Sequence, residues 1–165
     1  MSRAAQQEPT ARGRELRVGR ARLEIKIDPA AAPSQLFAFE STLPPGGGMP
    51  YLHLHHEMEE AFYVLEGTIE YTCGDQTILA TAGSMIQIPP GVAHKFRNVG
   101  LAQARHLALV TPGMAGLRAM EAVAQADFSD PQALADELRR HNSELLAGEA
   151  GRTFRGCRRR DDLSG

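Results

Sequence analysis

The strongest constraint on the fold is punctuation. From about residue 16 to about residue 111 the chain is cut into short segments of strand character, bounded by Gly, Pro or Asp at intervals of about ten residues. "LRVGRARLEIKI" alternates apolar and polar positions over its second half, and "SQLFAFESTL" follows a proline-containing turn. "LPPGGGMP" is a loop that no regular element absorbs. "AFYVLEGTIEYTCGDQTILATAG" reads as two hairpins turning at Gly67 and at Gly74-Asp75. "SMIQIPPGVAHKFRNVG" reads as two short strands around a Pro-Pro-Gly turn, and "AQARHLALVTP" closes the set. Many short strands with no helix between them specify an all-β sandwich or a small antiparallel barrel.

After Thr111-Pro112-Gly113 the period changes. "AGLRAMEAVAQA" is Ala-rich and helical; Asp130 then caps a second helix with Pro131 at its first position. Leu134, Leu138 and Leu145 recur at helical spacing, and Gly148 is a natural stop. The expected organisation is a flexible segment over 1–15, a β unit over 16–112, two helices within 113–148, and a basic flexible tail over 149–165. One apolar stripe on each helix packs it on the outside of the β unit.

At 165 residues and 42% hydrophobic content the chain supports one core, not two domains. Trp is absent and aromatics are scarce, so aliphatic side chains must fill most of that core. No segment is long enough to span a membrane, and "MSRAAQQEPTARGREL" has no apolar signal region. Cys73 and Cys157 lie far apart and do not resemble a disulfide framework. A cytoplasmic protein without membrane contact is expected. Residues 1–22 and 152–165 hold 11 of the 18 basic residues but 4 of the 20 acidic ones, leaving 7 basic against 16 acidic between them. Short Arg-rich ends around an acidic body are solvated termini, so no nucleic-acid partner is expected.

Chemistry concentrates in "YLHLHHEMEEAFYVLEG", residues 51–67. Strand residues two apart share a face, so His53 and His55 look one way and His56 the other. Glu60 opens the next apolar strand on the face of Phe62 and Val64, and His94 follows the Pro-Pro-Gly turn. Taken singly, these are edge-strand histidines, a solvated acidic turn and a turn cap. Taken together, three imidazoles and one carboxylate suit a divalent transition metal of intermediate softness.

These residues resemble the cupins, whose first motif is G-X5-H-X-H-X3,4-E-X6-G and second G-X5-P-X-G-X2-H-X3-N. Gly47, His53, His55, Glu60 and Gly67 stand at the fixed positions of the first. Gly83, Pro89, Gly91, His94 and Asn98 stand at those of the second. The resemblance implies a single-domain cupin: an antiparallel β-barrel (jelly roll), with the two helices packed outside it. It makes His53, His55, Glu60 and His94 the ligands of one divalent metal, among Ni, Fe, Mn, Co, Cu or Zn. Tyr51 shares the parity of His53, Phe62 that of Glu60, and Phe96 that of His94, which makes these three the substrate-facing residues. His56 faces out, His106 faces inward near the site or sits in the core, and His141 is on the surface. Asn98 ties down a neighbouring loop, Gly67, Gly83 and Gly91 serve turns, and Pro89 stiffens the turn that presents His94.

"LPPGGGMPYLHLHHEMEEAFYVLEG", "IPPGVAHKFRNVG" and the two helices look more closely like quercetin dioxygenase-type and polyketide-tailoring cupins. That likeness implies a metal-dependent dioxygenase joining dioxygen to a flavonol-like, polyphenolic or enolic small molecule, with Glu60 as ligand and proton acceptor. Two other activities fit the same residues: a non-redox cyclase or isomerase, in which the metal stabilises an enolate, and a metal-containing binding protein without turnover. Exposed sheet edges in a single domain need cover, so a homodimer is expected.

Overall fold

In the computed structural model, residues 13–31, 34–146 and the strand at 158–159 are described. The expected N-terminal segment up to residue 12, and the expected tail apart from that strand, lie outside the described residues. Ten strands precede the helices: β1 Glu15–Val18, β2 Ala21–Ile27, β3 Phe37–Leu43, β4 Gly48–His55, β5 Glu59–Glu66, β6 Thr68–Cys73, β7 Gln76–Thr81, β8 Met85–Ile88, β9 His94–Asn98 and β10 Ala104–Thr111. Helices α1 Gly113–Gln125 and α2 Pro131–Arg140 follow, then β11 Ser143–Leu145 and β12 Arg158–Arg159. The strands form two antiparallel sheets, in the orders β1-β2-β3-β10-β5-β8-β12 and β11-β4-β9-β6-β7. Among the described residues hydrogen bonding does not close them into one ring; the architecture is the expected jelly-roll, an all-β unit of two sheets with two helices outside.

Strict alternation builds the interior. In β6, Ile69, Tyr71 and Cys73 are buried and their neighbours are not; β10 alternates likewise from Ala104 to Val110. Phe37, Phe39, Leu43, Phe62, Val64, Ile86 and Ile88 join them between the sheets. The few aromatics are concentrated there: Phe62, Tyr71 and Phe96 have ring centroids 5.4–5.7 Å apart. Deleting one of these rings, as in Phe62→Ala, costs about 3–5 kcal/mol.

Three expectations are corrected. Gly67 does not turn a hairpin: β5 bonds to β10 and β8, while β6 bonds to β7 and β9, so Gly67 carries the chain from one sheet to the other. Its φ of 78° suits glycine, and a Cβ there would stand 2.7 Å from the Ala104 Cβ. The helices do not run through 113–148. Asp130 caps α2 as expected, accepting from the Gln132 and Ala133 amides, but the helix stops at Arg140. Asn142 takes a φ of 54°, and the chain then runs as β11 against β4, which removes Leu145 from the helical stripe. Third, Cys73 is disulfide-bonded, which the sequence reading did not expect, and cysteine usage no longer favours the cytoplasm. No helix among the described residues is long and apolar enough to cross a membrane.

Candidate metal centre

The site lies between the sheets. The five-stranded sheet supplies His53 and His55 from the end of β4 and His94 from the start of β9, where His53 and His94 are register partners. The seven-stranded sheet supplies Glu60, the second residue of β5. The turn before β9 is fastened to the ligand strand, because the Gly91 amide donates to the His55 carbonyl at 2.7 Å. Gly91 has a φ of 76°, a conformation costly for any residue with a Cβ. A glycine here thus sets the direction from which His94 enters.

All four side chains are buried, and one ligand atom from each lies within 4.8 Å of the others. Two donors on opposite sides of a divalent ion at about 2.1 Å stand about 4.2 Å apart, so the cluster is already near ligand spacing. Every histidine is turned the same way. Nδ1 of His53 donates to the Tyr51 carbonyl at 3.0 Å, and Nδ1 of His94 to the Val92 carbonyl at 2.9 Å. Nδ1 of His55 meets the Ser143 hydroxyl at 2.7 Å. Nε2 is therefore the nitrogen each ring has left for a ligand. Nε2 of His94 and of His55 lie 2.9 and 3.6 Å from Glu60 Oε2. The donor set fits one divalent metal ion, held by His53, His55, Glu60 and His94.

Burial drives the His53 imidazole well below its ordinary pKa, with His94 and His55 adding to the effect, so the ring is neutral. Burial pushes the Glu60 carboxyl up, but the His55 and His94 imidazoles reverse this and hold it well below the usual carboxylate range. A neutral imidazole and an ionised carboxylate are the forms that bind a metal.

Beside the cluster is a cavity of about 70 Å³. Its walls are apolar: Phe39, Leu43, Met49, Phe62 and Phe96 from the sheets, Met58 from the connection between β4 and β5, and Ala119, Met120 and Val123 from α1. Apart from Ser41, its polar lining is His53, His55 and Glu60, and no Lys or Arg lines it among the described residues. Phe62 and Phe96 thus face the space the sequence assigned to substrate. Tyr51 does not. β4 has an irregularity between Met49 and His53, and the Tyr51 hydroxyl donates to the Phe128 carbonyl at 3.0 Å. Tyr51 lies inside this irregular stretch, where regular strand alternation does not apply, although Met49 and His53 on either side both line the cavity.

The remaining sequence-marked residues fall into place. His56 leaves the opposite face and meets Glu144 at 2.8 Å in solvent. His141 lies beside Glu137 at 3.5 Å. Asn98 holds its loop by donating to the Leu43 and Ala102 carbonyls while accepting from the Gly100 amide. His106 is wholly buried among Phe62, Phe96 and Tyr71, with Nδ1 2.7 Å from the Tyr71 hydroxyl and no partner on Nε2 among the described residues. Burial lowers its pKa to about 3. Ser143 escaped sequence reasoning, since it lies 88 residues from the histidine it touches, in a segment read as helix.

Two facing antiparallel sheets with buried His, His, Glu and His between them define a jelly-roll with a candidate metal site. Residues 39–110 match the family model for the cupin domain, and this part of the chain is a cupin domain. Mannose-1-phosphate guanylyltransferase 2 of Escherichia coli O157:H7 is 44% identical over 57 residues, 34% of this chain and 12% of that protein. The polyketide synthase CurC of Streptomyces cyaneus is 31% identical over 103 residues, 62% of either chain. The chain thus spans only part of these relatives' length. Among solved structures, a predicted oxalate decarboxylase from Thermotoga maritima superposes with a TM-score of 0.52 at 22% identity, over 55% of this chain and 79% of that one. That likeness is one of fold.

Proposed function

We propose that the protein is a metal-dependent enzyme acting on the enolic or phenolic oxygen of a largely apolar small molecule, most simply a dioxygenase of polyphenolic substrates. The observation that carries this reading is the pairing of a buried His53-His55-Glu60-His94 cluster with an apolar cavity. A divalent metal at the cluster would supply Lewis acidity and, if redox-active, a route for electrons from substrate to dioxygen. Phe62 and Phe96 offer flat apolar surface to an aromatic ring. Glu60, held ionised, accepts the proton that the substrate hydroxyl gives up. A phosphorylated sugar would bring two negative charges into a space lined by no Lys or Arg among the described residues, which disfavours that substrate class. One water needs about 10–15 Å³ and one benzene about 150 Å³ by the same measure, so the cavity as it stands takes a few waters, and a ring enters only when its walls move. A fused polycyclic substrate requires Met120 and Val123 on α1 to move.

The similarity to CurC favours a second reading, a non-redox cyclase or isomerase on an aromatic polyketide. One experiment separates the two: metal-loaded protein is incubated with flavonols and with aromatic polyketides, in air and without oxygen. Conversion that requires oxygen supports the dioxygenase; conversion without it supports the second reading; binding without conversion in either atmosphere contradicts both. A homodimer belongs to the same proposal. The outer face of the seven-stranded sheet sets Tyr63 beside Leu107 and Ala61 beside Leu109, an apolar strip suited to a second copy. Light scattering that finds only monomer at micromolar concentration removes it.

A further inference from the structure

We propose that Ser143 is the positioning residue for His55, and that the segment from α2 into β11, beyond the matched cupin region, is therefore part of the metal centre. The proposal rests on reading the His53-His55-Glu60-His94 cluster as a metal site. The three histidines are not held alike. His53 and His94 each donate Nδ1–H to the backbone carbonyl two residues before them, so their orientation is local to their own strands. His55 has no such contact, and its Nδ1 partner is a side chain 88 residues away.

The register explains how that side chain arrives. β11 pairs with β4 so that Ser143 stands opposite His55 and Leu145 opposite His53. The His56 amide donates to the Asn142 carbonyl at 3.0 Å and the Leu146 amide to the Leu52 carbonyl at 2.8 Å, which pins both ends of the short strand. Directly opposed residues have Cβ atoms about 5 Å apart, within reach of a serine hydroxyl.

Hydrogen accounting then fixes the His55 ring. The Ser143 hydroxyl lies 3.1 Å from the His141 carbonyl, which can only accept, so the one serine hydrogen goes there. The oxygen is left to accept, and His55 must supply Nδ1–H. The lone pair on its Nε2 then faces Glu60 Oε2 at 3.6 Å, two acceptors turned toward a shared point. Ser143 is buried, so no solvent molecule substitutes when its hydroxyl is removed. Such outer partners orient a ligand ring and raise its basicity, and losing one typically weakens metal binding about 10–100-fold.

The test uses the full chain, as wild type, Ser143→Ala and Ser143→Thr. Binding of Zn²⁺ and Co²⁺ is measured by chelator competition, and histidine tautomers by long-range proton–nitrogen correlation on the metal-free protein. The expected result for Ser143→Ala is a loss of metal affinity of about 10–100-fold, with His55 no longer confined to the Nδ1–H form and His53 and His94 unchanged. Ser143→Thr, which keeps the hydroxyl, restores the single tautomer. Metal affinity within twofold of wild type together with an unchanged His55 tautomer in Ser143→Ala overturns the proposal. If wild-type protein takes up neither metal, the metal reading fails, and the metal-free tautomer spectra still decide whether Ser143 sets His55. A Ser143→Thr chain that does not fold leaves that decision with Ser143→Ala against wild type.

Discussion

Four histidines are buried inside this protein, and they live in two different worlds. His53, His55 and His94 converge on a carboxylate, each with Nδ1 turned away and Nε2 turned in. His106 sits among aromatic rings, bonded to the Tyr71 hydroxyl on one nitrogen and, among the described residues, to nothing on the other. Burial is common to both sets and so does not mark a ligand. What marks one is a second group in the same enclosed space that needs the same missing charge. Glu60 does this for three rings, while the fourth has only a neutral phenol.

The contrast can be broken by substitution. The largest effect is expected at the cluster: His94→Ala or His55→Ala should abolish metal binding, read by metal analysis, while circular dichroism still reports the folded β unit. Next is Glu60→Gln. An amide oxygen still binds weakly but takes no proton, so turnover should fall further than metal content when both are measured on one preparation. Equal losses would remove the proton-accepting role.

His106 should act through stability. Its folded pKa of about 3 lies below the ordinary 6.5, so the unfolded chain binds its proton first. Stability from keeping it neutral is complete above about pH 6.5 and declines as pH falls toward about 3. Between pH 6.5 and 5 the loss is about 2 kcal/mol, at 1.36 kcal/mol per unit. His106→Gln should lack this part of the acid slope in denaturant titrations, whereas His53 acts the same way in both proteins and cancels. An identical slope in the variant would mean that His106 is not held neutral. The smallest effect is His56→Ala, which leaves the outer face and should change neither metal content nor activity; a loss of metal there would contradict the β4 register.

The difference between the two sets also shows what the chain discloses as plain text. The spacing from Gly47 to Asn98 locates all four cluster residues, because a strand's period of two and a fixed turn leave little freedom between them. Phe62 and Phe96 follow from the same parity. Tyr51 fails because it lies in the irregular stretch of β4 between Met49 and His53, where the pairing register shifts and alternation no longer sets the side chain's direction. Gly67 was legible as a turn but not as a crossing, since alternation says which face is buried and not which strand lies alongside. Ser143 and the Cys73 disulfide were hidden for a related reason: each depends on partners set by tertiary structure. Leu145 matches the helical stripe of α2, and only the turn at Asn142 and pairing with β4 overrule it.

The most direct test of the account is the metal content of protein purified without a histidine tag, measured side by side for wild type, His94→Ala and His106→Gln. The account predicts one equivalent of a divalent transition metal in wild type and in His106→Gln, and none in His94→Ala. Metal retained by His94→Ala and lost from His106→Gln would contradict it.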